Sequence, residues 1–106
     1  MDVWISPSGN VAVVAPQGEI DMDRAADMRQ AVLDLLQEAH RLIVMDLAKV
    51  EFIDSTGLGV IAAAAAKARS SGQHVGVVEA RGHTRRVLEI TGLGRLCLPP
   101  LETSPA

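Results

Sequence analysis

Short apolar runs bounded by turn residues alternate along this chain with longer segments whose apolar positions recur every three or four residues. Val3 to Ile5 and Val11 to Ala15 are β-prone and are joined by Ser6-Pro7-Ser8-Gly9-Asn10, a turn-rich link that predicts an antiparallel hairpin. From about Met22 to Ala39 a helix is expected, with Asp21 or Asp23 as its cap and Met28, Val32, Leu35, Leu36 and Ala39 as one apolar stripe. Leu42 to Met45 is continuously apolar up to Asp46, the pattern of a strand covered on both faces, and Val50 to Ile53 reads as a second short buried strand. Val60 to Ala68 is alanine-rich and helix-prone, with Gly72 as the stop after Ser71. His74 to Glu79 predicts a further strand, Thr84 to Thr91 a third helix stopped by Gly92, and Leu96 to Leu98 a last short strand.

This order implies an α/β fold: a mixed β-sheet that opens with an antiparallel hairpin, continues through right-handed parallel crossovers, and carries three to four helices packed against it. With 106 residues, 48% of them hydrophobic, the chain has material for one core and not two. A single domain over 1–98 is expected, with 99–106 as a flexible tail. The longest uncharged run, Val3 to Gly18, is broken by Pro7, Gly9, Asn10 and Pro16, so no membrane span is predicted, and Asp2 directly after Met1 argues against a signal peptide.

Composition then removes several function classes. Cys97 is the only cysteine, which excludes an internal disulfide, reads as a buried apolar residue and points to a reducing, cytoplasmic setting. His40, His74 and His83 are far apart and show no ligand spacing, so no metal is expected. A formal charge of −3, with Trp4 and Phe52 as the only aromatic rings, leaves neither a basic field nor stacking platforms for nucleic acid. The late cluster Arg81, Arg85, Arg86 and Arg95 reads first as a solvated helix face and second as support for a protein interface.

Candidate chemistry concentrates at Phe52-Ile53-Asp54-Ser55-Thr56-Gly57-Leu58-Gly59, where a β-prone run stops at a carboxylate and hydroxyls and glycines open the next helix. Ser55 is the expected N-cap, and a cap is what most serines at such positions are. The residues three beyond Ser55 and Thr56 are Leu58 and Gly59, so neither hydroxyl is part of a capping box. Gly57 and Gly59 also weaken the first turn, each by up to about 1 kcal/mol relative to alanine. Such a turn is shaped for access, because missing side chains let another protein approach the hydroxyl. Asp21, Asp46, Asp54 and Ser55 each end an apolar run, and in parallel sheets functional loops gather beyond the carboxyl ends of the strands, so one shared rim is expected.

With Gly18-Glu19-Ile20-Asp21, Ile43-Val44-Met45-Asp46-Leu47, the Phe52 to Gly59 junction and Ile90-Thr91-Gly92-Leu93 in this order, the chain resembles the anti-sigma-factor antagonists, single STAS domains of bacteria. The resemblance runs from the first strand to Leu98. It implies a non-enzymatic switch without a cofactor, in which the serine after the aspartate, here Ser55, is phosphorylated by a partner that is both an anti-sigma factor and a serine kinase. The bare protein binds that partner and frees a sigma factor; the phosphorylated form lets go, and a metal-dependent serine phosphatase resets it. The implied partner surface is Asp21, Asp46, Asp54, Ser55, Thr56, Gly57, Leu58 and Gly59, with no direct role for nucleic acid or membrane.

Two other readings come from the same residues. Gly57-Leu58-Gly59-Val60-Ile61-Ala62 satisfies the G-x-G-x-x-A dinucleotide fingerprint after a strand, with Glu79 at the end of the next strand, although Ser55 and Thr56 crowd the turn. Alternatively, the same fold serves as a STAS-type adaptor or regulatory subunit of a transporter or lipid-transport complex without phosphorylation. A serine hydrolase is disfavoured, because the G-x-S-x-G elbow is absent and no histidine is tied to Ser55 by sequence.

Overall fold

A computed structural model describes residues 1–101. Its elements are β1 (Asp2–Ile5), β2 (Val11–Ala15), β3 (Gln17–Ile20), α1 (Met22–Gln37), β4 (Leu42–Asp46), β5 (Lys49–Ile53), α2 (Ser55–Ser70), β6 (His74–Val78) and α3 (Gly82–Thr91), followed by a short 3₁₀ turn, Leu93–Leu96. The expected mixed α/β fold with its opening hairpin is what forms. β1 pairs antiparallel with β2, and β2, β4 and β6 continue in parallel as β1-β2-β4-β6. β3 and β5 make a separate parallel pair.

The strand patterns explain their places. β2 alternates half-buried and buried residues, with Ala12 and Val14 inward, whereas Ile43, Val44 and Met45 of β4 are all buried because β4 lies between two strands and beneath helices. Over this sheet α1 contributes Ala25, Met28, Val32, Leu35 and Leu36, and α2 contributes Ile61, Ala64, Ala65 and Ala68. The alanines let the two helices lie against each other and against the sheet in one thin layer.

Three expectations need correction. Ala39 is not part of the α1 stripe: it follows the helix at φ 63° and is exposed, and the stripe instead begins at Ala25, one turn before Met28. Leu96 to Leu98 is not a strand, because Gly92 turns left-handed at φ 81° and winds the chain into the 3₁₀ turn, leaving one parallel bridge between Val77 and Cys97. Phe52 is not buried; it is 44% exposed, with its ring stacked on His83 at 4.6 Å. The expected tail falls partly on residues 102–106, outside the described residues; before it, the Leu101 amide donates to the Gly94 carbonyl at 3.0 Å. Cys97 is buried, and among the described residues no helix is long and apolar enough to cross a membrane.

Candidate functional site

The parallel pair β3 and β5 builds the site. Ile20 and Ile53, the last residues of the two strands, stand opposite each other in register and are both buried. Parallel neighbours lie about 4.8 Å apart, so the next residues, Asp21 and Asp54, emerge side by side. The Asp54 amide still donates to the Ile20 carbonyl at 3.3 Å. Each aspartate then caps a helix. Asp21 Oδ1 accepts from the Arg24 amide at 3.0 Å, and Asp54 Oδ1 accepts from the Thr56 and Gly57 amides at 3.0 and 3.1 Å. Both helices therefore start on one rim, with their positive ends outward.

Asp54, not Ser55, is the N-cap of α2. Its backbone is extended, as a cap requires, while Ser55 is already the first helical residue. The two hydroxyls consequently differ. Thr56 Oγ1 donates to Asp54 Oδ1, whereas the Ser55 hydroxyl makes no hydrogen bond among the described residues and is exposed. The Thr56 hydroxyl, followed by the Gly57 and Thr56 amides, holds the Asp54 carboxyl below the usual carboxylate range. A fixed negative charge thus adjoins a free hydroxyl.

The glycines have separate reasons. Gly57 is buried, and a Cβ there would lie 2.6 Å from Ile53 Cγ1 and 2.9 Å from Ile20 Cγ2; the helix start settles directly on the paired isoleucines. Its absence of a side chain serves packing, which corrects the reading of Gly57 as an opening toward the hydroxyl. Gly59 is exposed and a Cβ there would meet nothing within 4 Å, so it does leave the surface beside Ser55 low. Leu58, half-buried, packs against the core from the same turn.

Asp46 does not share this rim. It ends β4, in the other sheet, and its carboxylate accepts the Ala48 amide at 3.0 Å in a tight turn that leads into β5. Asp46 therefore stands by the start of β5 and Asp54 by its end, separated by a strand of roughly 13 Å.

Sequence reasoning missed the apolar groups at the rim. Met22, directly after Asp21, is 70% exposed, and Phe52, two residues before Asp54, presents its ring beside the start of α3. The signal was Phe52 itself, one of two aromatic rings in the chain. The arginine cluster is largely spent on neighbours: Arg81 pairs with Glu79 and Arg85 with Glu89, at 2.6 and 3.1 Å.

No dinucleotide cradle forms at Gly57-x-Gly59-x-x-Ala62. The amides that would face a pyrophosphate already donate to the Asp54 carboxylate, an anion occupying the anion's place, and Gly57 is covered by Ile20 and Ile53.

Beside the four-stranded mixed sheet, the separate β3–β5 pair thus delivers two capped helices and one free hydroxyl to a common rim of a small α/β domain. The family described as "Mlab, STAS domain" matches residues 5–100. The chain is 34% identical over 93 residues to the anti-sigma-F factor antagonist RsfB of Mycobacterium tuberculosis, covering 88% of this chain and 75% of that one. A putative anti-sigma factor antagonist from Thermotoga maritima superposes with a TM-score of 0.80 at 30% identity, covering 91% of this chain and 81% of the other. The unphosphorylated anti-sigma factor antagonist SpoIIAA shares the fold, with a TM-score of 0.78 at 18% identity over 91% of this chain and 85% of its own; its phosphorylated form, from Bacillus, matches at 0.74 with 16% identity over 91% and 86%. This chain belongs to the STAS-domain family, among the anti-sigma-factor antagonists.

Proposed function

We propose that the protein is a partner switch worked by phosphorylation of Ser55. Unmodified, it binds an anti-sigma factor that is also a serine kinase, so that a sigma factor is released in the cytoplasm; phosphorylated, it dissociates until a metal-dependent phosphatase restores the hydroxyl. The single observation carrying this reading is the inequality of the two hydroxyls: Thr56 is held by Asp54 while Ser55 is exposed and uncommitted. The existence of SpoIIAA in phosphorylated and unphosphorylated forms agrees with it for that protein. The domain supplies no catalysis in this scheme. Asp21, Asp54, Thr56 and Gly59, with Met22 and Phe52, form the docking rim around the serine, while Gly57 and Leu58 hold the turn in place and Asp46 contributes at most from the far end of β5.

Electrostatics give the switch its size. A phosphate adds about −1.5 to −2 charges, and one like-charge contact at about 4 Å costs roughly 4 kcal/mol at an effective dielectric near 20, about a thousandfold in affinity. At a solvated edge the same contact costs only about 1 kcal/mol, so Ser55 must lie inside the partner's footprint. The test is mass spectrometry of the protein incubated with ATP and a serine-kinase anti-sigma factor, combined with binding of variants. Phosphate on Ser55, tight binding by Ser55→Ala and weak binding by a well-folded Ser55→Asp are expected. Binding that ignores a charge at position 55 would sink the switch and leave a STAS adaptor.

A further inference from the structure

Away from the rim, α1 and α2 leave a groove between them of about 180 Å³. Leu33 of α1 and Val60, Ala63 and Ala64 of α2 line it, and Arg29 and Lys67 stand on its opposite walls. We propose that this groove is a second protein-docking surface, receiving an amphipathic helix of a partner whose apolar stripe is flanked by carboxylates.

Size decides against a small molecule: small-molecule sites occupy about 300–1,000 Å³, whereas this groove suits one large aliphatic side chain entering as a knob. Relief points to a helix. The α2 wall of the groove is built mainly of the small side chains of Ala63 and Ala64, with Val60 at one end, so another helix axis can approach to the short end of the usual 8–10 Å range. Charge fixes the occupant's chemistry. The whole of α2 contains no carboxylate, although acids outnumber bases in the chain, and neither groove cation has an ion-pair partner among the described residues. Because α1 and α2 begin on the same rim, Arg29 lies about two turns in and Lys67 just over three, an offset of about 7 Å along the axes. An occupying helix therefore needs glutamates or aspartates on both flanks of its stripe, between one and two turns apart.

This surface is independent of the switch. Val60, at its upper end, is more than a turn below Ser55, about a Debye length at physiological salt, so a phosphate on Ser55 acts on the rim far more than on the groove.

The test is an amide-shift titration of the ¹⁵N-labelled protein with a capped 15-residue helical peptide that has leucines at i, i+4 and i+7 flanked by glutamates. A second peptide with lysines in place of the glutamates serves as comparison. Saturable shifts confined to α1 and α2, centred on Leu33, Val60, Ala63 and Lys67, are expected, with the glutamate peptide bound at least tenfold more tightly. Arg29→Glu with Lys67→Glu should reverse that preference while keeping a dispersed spectrum, Arg29→Gln with Lys67→Gln should abolish it, and Ser55→Asp should leave it unchanged. Equal binding of the two peptides, or shifts elsewhere, overturns the proposal. So does concentration-dependent dimerisation through this face in sedimentation, or co-sedimentation with phosphatidylglycerol vesicles that the charge-reversed pair loses while peptide selectivity is absent.

Discussion

Gly57 lies against Ile53 so closely that a methyl group on it would stand 2.6 Å from Ile53 Cγ1. The other contact, 2.9 Å to Ile20 Cγ2, comes from the paired strand, so the clash cannot be relieved by moving one side chain. Overpacking of this kind costs about 1–3 kcal/mol, against which alanine returns up to about 1 kcal/mol of helix propensity. Gly57→Ala is therefore expected to lose about 1–2 kcal/mol in urea unfolding. Gly59→Ala, with open space around it, should be neutral or stabilising by up to about 1 kcal/mol. Equal effects of the two substitutions would show that the helix start does not rest on the isoleucines.

Capping gives a second contrast. Asp54→Ala removes the acceptor of two helix amides and of the Thr56 hydroxyl, whereas Ser55→Ala removes a hydroxyl with no partner among the described residues. The expected order in thermal denaturation is a clear drop for Asp54→Ala and a value near wild type for Ser55→Ala. The Asp54 contribution also has a pH sign. Its folded-state pKa is depressed, so the stabilisation is present above the unfolded carboxylate value and is lost as pH falls through the lower folded value. Asp54→Asn should flatten that acid limb. An undiminished acid dependence would place its origin elsewhere.

The legible parts of the fold were those where sequence period and burial agree: β2, β4, the stripe of α1 and the alanine face of α2. Gln17-Gly18-Glu19-Ile20 escaped because only Ile20 is buried; these residues become a strand by pairing with β5 across an irregularity at Gly18, not by their own propensity. The register of the α2 cap was ambiguous by one residue, since aspartate and serine cap about equally well, and only the hydrogen bonds distinguish them. Asp46 looked like Asp54 because both end apolar runs, but a shared rim requires strands of one sheet, and pairing across the chain is not written locally. Ser55 itself was legible from its position; that its hydroxyl is the uncommitted one was not.

His40 should make stability depend on pH in the opposite sense to Asp54. Buried at the end of α1, its ring nitrogens face two acceptors, the Gly9 carbonyl at 2.6 Å and the Glu38 carboxylate at 3.0 Å, which ties the β1–β2 turn to the helix. A neutral ring can donate to only one of them. The Gly9 carbonyl first and the Glu38 carboxylate second hold the imidazolium above its ordinary pKa of 6.5. The resulting stabilisation is complete below that value and fades as pH rises through the raised folded one. Urea midpoints should fall across this window in wild type and less so in His40→Gln. A His40 resonance titrating at or below its ordinary value would refute the assignment.

Phosphorylation of Ser55 should alter the Asp54 carboxyl more than the fold. Ordinarily a helix start welcomes an anion by about 0.3–1 kcal/mol, but here the Thr56 and Gly57 amides already serve Asp54, so the phosphate would share the positive end with a carboxylate. Attraction to the helix and repulsion from Asp54 then oppose each other, and the net change in domain stability is expected to stay within about 1 kcal/mol. The repulsion must still appear in titration: the Asp54 pKa, depressed in the bare protein, should rise on phosphorylation as the added charge disfavours the carboxylate. Carboxyl ¹³C shifts followed against pH in both forms measure this directly. A large loss of thermal stability would mean that the phosphate acts by unwinding α2, and partner release would then follow from a changed surface instead of charge repulsion across an intact one.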